Sequence, residues 1–318
     1  MDWFVVDGHE DVAMTLLLDQ GRDFGAPAPE GRGLSLPDAQ RGRLGVILAT
    51  IFAPDGYWKG LSAMGAARKQ LALYDELLDK HAEHLFRVES RGDLALCRAG
   101  GPIGVVHLVE GADPIASPDA LGWWVDQGVR VVGLAWNTPN RYCGGTYDDQ
   151  GLSDEGRALL QAMHEQGVLC DVSHLNRHAV DDVLLAAEGP IVASHSNAHA
   201  VHPHRRNLRD EHVRAIADRE GIVCVVLYDG FLGDGKSDVD DVVAHVDHLV
   251  SVAGPAHVGI GSDIDGGFGT HEVPDGIDTV ADLVKIGGAR LARGYGEKDA
   301  RGILGENWRR VLHEALPE

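Results

Sequence analysis

Eight short apolar runs, rich in β-branched residues, recur along the chain with amphipathic stretches between them. They span residues 4–7, 45–52, 103–109, 129–135, 168–172, 191–193, 222–227 and 258–261. Such near-continuous apolarity predicts strands buried on both faces, as in a parallel sheet. Strands alternating with helices build βαβ units, and eight units close into an α/β fold of the (β/α)8, TIM type. The clearest helix spans 153–166, with Ser153 as N-cap and Leu159, Leu160 and Met163 on one face. Others are expected at 66–84, 179–187, 211–219 and 239–252, and 275–318 reads as a tail of two or more helices closing the barrel. No linker, repeat or low-complexity tract divides the chain, so residues 1–318 form one expected domain, and 44% hydrophobic content suffices for one large core. An open doubly wound sheet is the competing topology, but no Gly-rich phosphate loop follows the first run.

Five of the runs end on residues that bind metals or move protons. The first leads into Asp7-Gly8-His9-Glu10-Asp11, whose His9 and Asp11 lie two apart and leave the strand end together. The others stop at Glu110, His174, His195 and Asp263. Any one of these is well explained as a buried strand with a polar cap. Five in series, all at the C-terminal strand ends where barrel enzymes keep their sites, point to a divalent metal centre.

A net charge of −21 argues against a nucleic-acid or anionic-membrane partner, since either would repel the chain. The four cysteines, Cys97, Cys143, Cys170 and Cys224, are scattered without a C-x-x-C pair, which suits a reducing cytoplasm. No secretory leader or membrane span is expected, because the first run begins at Phe4 and no apolar run approaches spanning length.

Seven short motifs, in order over nearly the whole chain, make the pattern specific. They are Asp7-Gly8-His9-Glu10-Asp11, Val109-Glu110-Gly111, Asp171-Val172-Ser173-His174, Ser194-His195-Ser196-Asn197, Arg206-Asn207-Leu208, Gly261-Ser262-Asp263-Ile264-Asp265-Gly266 and Gly305-Glu306-Asn307-Trp308-Arg309-Arg310-Val311. In these the chain resembles the membrane (renal) dipeptidase family of zinc metallopeptidases, within the amidohydrolase superfamily. The resemblance implies two zinc ions per chain, with His9 and Asp11 on one, His174 and His195 on the other, and Glu110 bridging them. It implies hydrolysis of small L-X or L-D dipeptides by a metal-bridging hydroxide, which is a nucleophile near neutral pH.

Asp263 then becomes the proton shuttle, with metal ligation as its second reading. Arg206, in the loop after the sixth run, becomes the fork that grips the substrate's free carboxylate. Tyr228 is a candidate pocket wall or an ordinary strand-end aromatic. Trp136 stands where mammalian-type members carry a carbonyl-polarising His, and offers only an indole N–H. That departure keeps open a related amidohydrolase acting on another amide, a lactam or an ester. A catalytically inactive homologue is a third reading, which the complete ligand set disfavours. Family members are commonly homodimers.

Among the remaining histidines, His107 should face the helix layer, His199 and His202 should be solvated loop residues, and His204 matches a position often occupied in the family. His81, His84, His245, His248 and His313 are expected at the surface, and the Trp123-Trp124 pair in helix packing.

Overall fold

The computed structural model describes residues 3–318. Among the described residues nine strands, all parallel, are arranged around a barrel: β1 (Val5–Glu10), β2 (Leu44–Phe52), β3 (Leu85–Arg87), β4 (Ile103–Glu110), β5 (Val129–Gly133), β6 (Leu169–Asp171), β7 (Ile191–Ala193), β8 (Ile222–Val225) and β9 (Val258–Ile260). The main path runs β1-β2-β4-β5-β6-β7-β8-β9, so the eight expected strands neighbour one another in chain order. This is the (β/α)8 architecture that the alternation predicts.

β3 is the addition. It pairs with the first three residues of β4, an edge that β5 joins only from His107 onward. Three residues are too few to show a period, and its neighbours are polar, so its sequence carries no strand signal.

Alternate residues of the strands feed two cores. Val6, Val46, Leu48, Val106, Leu108, Val131, Leu169, Val192, Ile222 and Cys224 cluster inside the barrel, together with Trp308, Val311 and Leu312 of the C-terminal helix Asn307–Ala315. The tail therefore plugs the barrel interior, as well as closing the outer ring. Their neighbours Val5, Ile47, Val105, Val109, Val132, Ile191, Val223 and Val258 face the surrounding helices. Those helices follow ordinary rules: Ser153 accepts from Gly156 N at the start of Asp154–Glu165, whose Leu159, Leu160 and Met163 are buried.

Closure between β9 and β1 relies on isolated hydrogen bonds, most of them through side chains, and no ladder joins these strands among the described residues. Asp7 Oδ1 accepts from Ser262 N at 2.7 Å, its Oδ2 accepts from Ser262 Oγ at 2.6 Å, and Asp263 N donates to His9 O at 3.1 Å. Trp308 Nε1 donates to Ile260 O, satisfying a carbonyl at the seam. Gly8 is required beneath it, since a Cβ there would lie 2.7 Å from the Trp308 ring.

Several expected boundaries shift at the strands' C-terminal ends. β8 stops at Val225, because Val226 N turns to Asn197 Oδ1 and Leu227 N to Ser262 O. Tyr228 therefore does not end a strand; it precedes a short helix, Asp229–Leu232. One histidine assignment is overturned. His245, expected at the surface, is fully buried: its Nδ1 accepts from Ala198 N, and its Nε2 donates to Leu232 O. Its helix presents an inner face to the loop after β7, and a ring with two backbone partners can be buried there without an unmet polar atom. His107 does face the helices, tilted against Tyr74 with Nδ1 on Gln127 O, and burial lowers its pKa to about 4.

Candidate metal centre

His9 and Asp11 arrive through an irregularity. Between Asp7 and Glu10 the register with β2 slips, three steps on β1 against two on β2, which is a β-bulge. Gly8 meets Trp308 below, and the next residue, His9, still enters the site. Period-two counting from Val6 would send His9 outward.

The other side chains come from neighbouring strand ends. Glu110 is the last residue of β4, while His174 and His195 follow β6 and β7. Glu110 Oε1 lies 2.9 Å from His174 Nε2 and 3.6 Å from His195 Nε2, and its Oε2 lies 3.6 Å from His9 Nε2. Asp11 Oδ2 is 4.0 Å from His9 Nε2. The carboxylate of Glu110 thus faces both halves of the cluster. Among the described residues three sets converge closely enough to share an ion, and two of them face the cavity side: Glu110, His174 and His195, and then His9, Asp11 and Asp263. His174 and Asp263 both take left-handed backbone, with φ of 67° and 56°. Such strain in non-glycine residues collects at functional sites.

The donor set fits divalent cations. His174 Nε2 and His195 Nε2 stand 2.7 Å apart, while their Nδ1 atoms sit on Asn137 Oδ1 and Ser194 Oγ. Burial and the nearby Arg206 and His9 hold both imidazoles well below their ordinary pKa, so they are neutral and offer lone pairs. His9 Nε2 and Asp11 Oδ1 are buried with no partner. Burial raises Glu110 to about 8 and Asp263 to about 7, and burial with the Glu110 charge lifts Asp11 well above the carboxylate range. Neutral imidazoles aimed at one another and carboxylates costly to ionise describe a hole shaped for positive charge.

A cavity of about 510 Å³ opens over this cluster. Asp263, Trp136 and Tyr228 line it, as does His204. Trp136 packs edge-on against Phe52 and Tyr57 and lies tilted on His174. Tyr228 donates to Glu272 Oε1 at 3.2 Å. Arg206 is buried and lines a neighbouring cavity of about 420 Å³, which borders the first at His204. It donates through Nη2 to His195 O and through Nη1 to Ser196 Oγ, and its Nε has no partner.

The sequence reading left several contributors without a role. Asn137 and Ser194 hold the imidazoles from behind and Asp171 holds Ser194, and all three lie in segments already singled out, beside Trp136, His174 and His195. Tyr57, Tyr147, Phe231, Phe268 and Glu272 line the cavity from irregular segments or short helices, where no periodicity marks them. Ser262 bridges Asp7 and Glu10 at 2.6 Å each. Its single proton can serve only one of them, and burial with the Asp7 and Asp265 charges raises Glu10 well above the carboxylate range, so Glu10 carries the second proton.

A parallel eight-strand barrel with this cluster at its C-terminal mouth defines a metal-dependent hydrolase of the amidohydrolase type. More narrowly, the chain belongs to the membrane dipeptidase family, peptidase family M19, whose sequence model matches residues 1–316. A Klebsiella pneumoniae protein, known as an uncharacterized protein in the pqqA 5' region, is 34% identical over 258 residues, covering 77% of this chain and 94% of that one. The crystal structure of the dipeptidase AC, an M19 metallopeptidase, superposes with a TM-score of 0.90 at 27% identity, covering 100% of both chains. A Rhodobacter sphaeroides metallopeptidase, liganded with a phosphinate mimic of the dipeptide L-Ala-D-Ala, gives a TM-score of 0.89 at 27% identity, covering 99% of this chain and 100% of that one. No helix among the described residues is long and apolar enough to cross a membrane.

Proposed function

We propose that the protein is a binuclear zinc dipeptidase that hydrolyses the peptide bond of small L-X or L-D dipeptides. The observation that carries this reading is the convergence of three imidazole Nε2 atoms on one carboxylate, Glu110, beneath an open cavity. His9 and Asp11 would hold one ion, His174 and His195 the other, and Glu110 both. When bound, the ions would supply an activated water and polarise the scissile carbonyl.

The chain's own groups account for the rest. Asp263 lines the cavity, and burial raises its carboxyl to about 7 in the metal-free protein. Once ionised, it can take the proton of the attacking water and return it to the leaving amine as the C–N bond breaks. Arg206 is a buried cation with an unpartnered Nε, beside a cavity that meets the metal pocket at His204. It is the candidate for gripping the substrate's free carboxylate, which would restrict the enzyme to dipeptides. Trp136 and Tyr228 wall the pocket, with Trp136 offering one indole N–H where mammalian-type members place a histidine. The L-Ala-D-Ala mimic carried by the Rhodobacter sphaeroides relative supports a substrate of this size.

A zinc-loaded preparation assayed against a library of L-L and L-D dipeptides tests the reading. Turnover of free dipeptides, lost on chelation and restored by zinc, is the expected result. Activity confined to lactams, esters or other amides would favour the related-amidohydrolase reading that Trp136 keeps open. No turnover of any of these by a fully metal-loaded protein would mark an inactive homologue.

A further inference from the structure

We infer that Ser194 is a positioning residue: its single hydroxyl sets the tautomer of two metal-binding histidines at once. The inference rests on the metal reading above and adds a residue that acts through others.

Ser194 Oγ is fully buried and lies 2.5 Å from Asp171 Oδ2, 2.8 Å from His195 Nδ1 and 3.2 Å from His9 Nδ1. Ser173 Oγ, at 3.4 Å, is its longest contact. A hydroxyl has one proton and two lone pairs. The Asp171 carboxylate can only accept, and its Oδ1 already takes Ser173 N and Ser194 N at 2.9 Å each. The hydroxyl proton therefore goes to Asp171 Oδ2. Both lone pairs then face imidazoles, so His9 and His195 must each carry a proton on Nδ1. In the neutral rings that metal ligation requires, each Nε2 is then bare, and these are the atoms that face Glu110. Asn137 Oδ1 does the same for His174.

His9, Asp171 and His195 lie close enough together to invite reading as a third ion site. Ser194 Oγ already occupies the point where the Asp171 oxygen and the two Nδ1 atoms meet. The lower group is thus a proton-ordered support and the upper one a metal site. The rings of His9 and His195, 3.8 Å apart, are held in register by one atom.

The test uses the full-length protein loaded with zinc and labelled with 15N at histidine. Long-range 1H–15N correlation of the wild type should show Nδ1 protonated and Nε2 metal-bonded for both His9 and His195. Either ring bonded to zinc through Nδ1 would overturn the inference. Ser194→Ala removes the shared acceptor, and Asp171→Asn turns an amide N–H toward Ser194 Oγ, using up one of its lone pairs. Each variant should bind zinc about 10- to 100-fold more weakly in a chelator competition, as loss of an outer-shell partner does. The Nδ1–H signals should be lost or broadened as both tautomers become populated. Wild-type affinity with unchanged signals in both variants would also overturn it. If the wild type itself binds no divalent ion, the metal reading fails first and the two failures are told apart.

Discussion

Acidification should strip metal from this protein far above the usual carboxylate range. Glu110 and Asp263 are raised to about 8 and about 7 by burial. Each must lose its proton to face a cation, so ion binding releases protons wherever these groups are still protonated. The two imidazoles held well below their ordinary pKa release none in this range. Between pH 8 and pH 6, a group of pKa about 8 weakens apparent affinity by about fifty-fold, and one of pKa about 7 by about tenfold, by simple proton competition. The product is a loss of roughly 500-fold over two pH units, with Asp11 adding to it. Chelator competition at half-unit pH steps measures this directly, and Glu110→Gln should remove the larger factor while weakening affinity at pH 8. The metal-free protein should behave in the opposite sense. Folded pKa values above the unfolded ones stabilise the fold below about pH 4, and that stability is lost as pH climbs through about 7 and about 8. Its Tm should therefore fall from pH 5 to pH 8, whereas the Tm of the loaded protein should rise. A metal affinity that changes less than about threefold across pH 6–8 would refute the assignment of these carboxyls to the ion-facing surface.

Three further outcomes are expected. Arg206→Ala should raise KM steeply for free dipeptides with metal content intact, and a C-terminally amidated dipeptide should be poor for the wild type and little worse for the variant; equal turnover of both dipeptides by the wild type would remove this role. Asp263→Asn should lower kcat by about 10²–10⁴ with little change in KM and both ions retained; loss of one ion would instead make Asp263 a ligand. Trp308→Ala should cost about 3–5 kcal/mol in denaturant unfolding, since the ring is fully buried in the barrel plug and hydrogen-bonded at the seam.

The barrel was legible because its strands are buried on both faces and so read as unbroken apolar runs. The residues brought together at the centre were legible because the chain delivers each at a strand's end, whatever the local detail. What escaped has identifiable physical causes. β3 is too short to carry a pattern, and it exists because the β4 edge is free before His107. His245 reads as a polar residue on a helix, and only the fold supplies the two backbone groups that make its burial tolerable. Part of the cavity wall comes from Tyr57, Tyr147 and Phe268, whose positions depend on loop paths that no periodicity encodes. The bulge at Gly8 was invisible too, and here the expected placement of His9 and Asp11 together survived an argument that omitted the extra residue.

That bulge shows how one barrel holds two incompatible interiors. Below it, Val6 and Gly8 meet Trp308 in a dry plug. One residue further, His9 begins a layer of imidazoles and carboxyls in which Asp7, Glu10, Asp11, Asp171 and Asp265 are all buried. Unpaired charges at such depth are costly, and the structure limits their number in two ways. Asp265 takes a direct partner, Arg22 at 2.7 Å, while Glu10 keeps its proton behind Ser262. Asp11, Glu110 and Asp263 instead face the open cavity, where ions can enter and offset them. A regular β1 would carry the apolar alternation one residue further and turn His9 toward the helices. The extra residue thus sets the height at which the hydrocarbon plug ends and the electrostatic site begins.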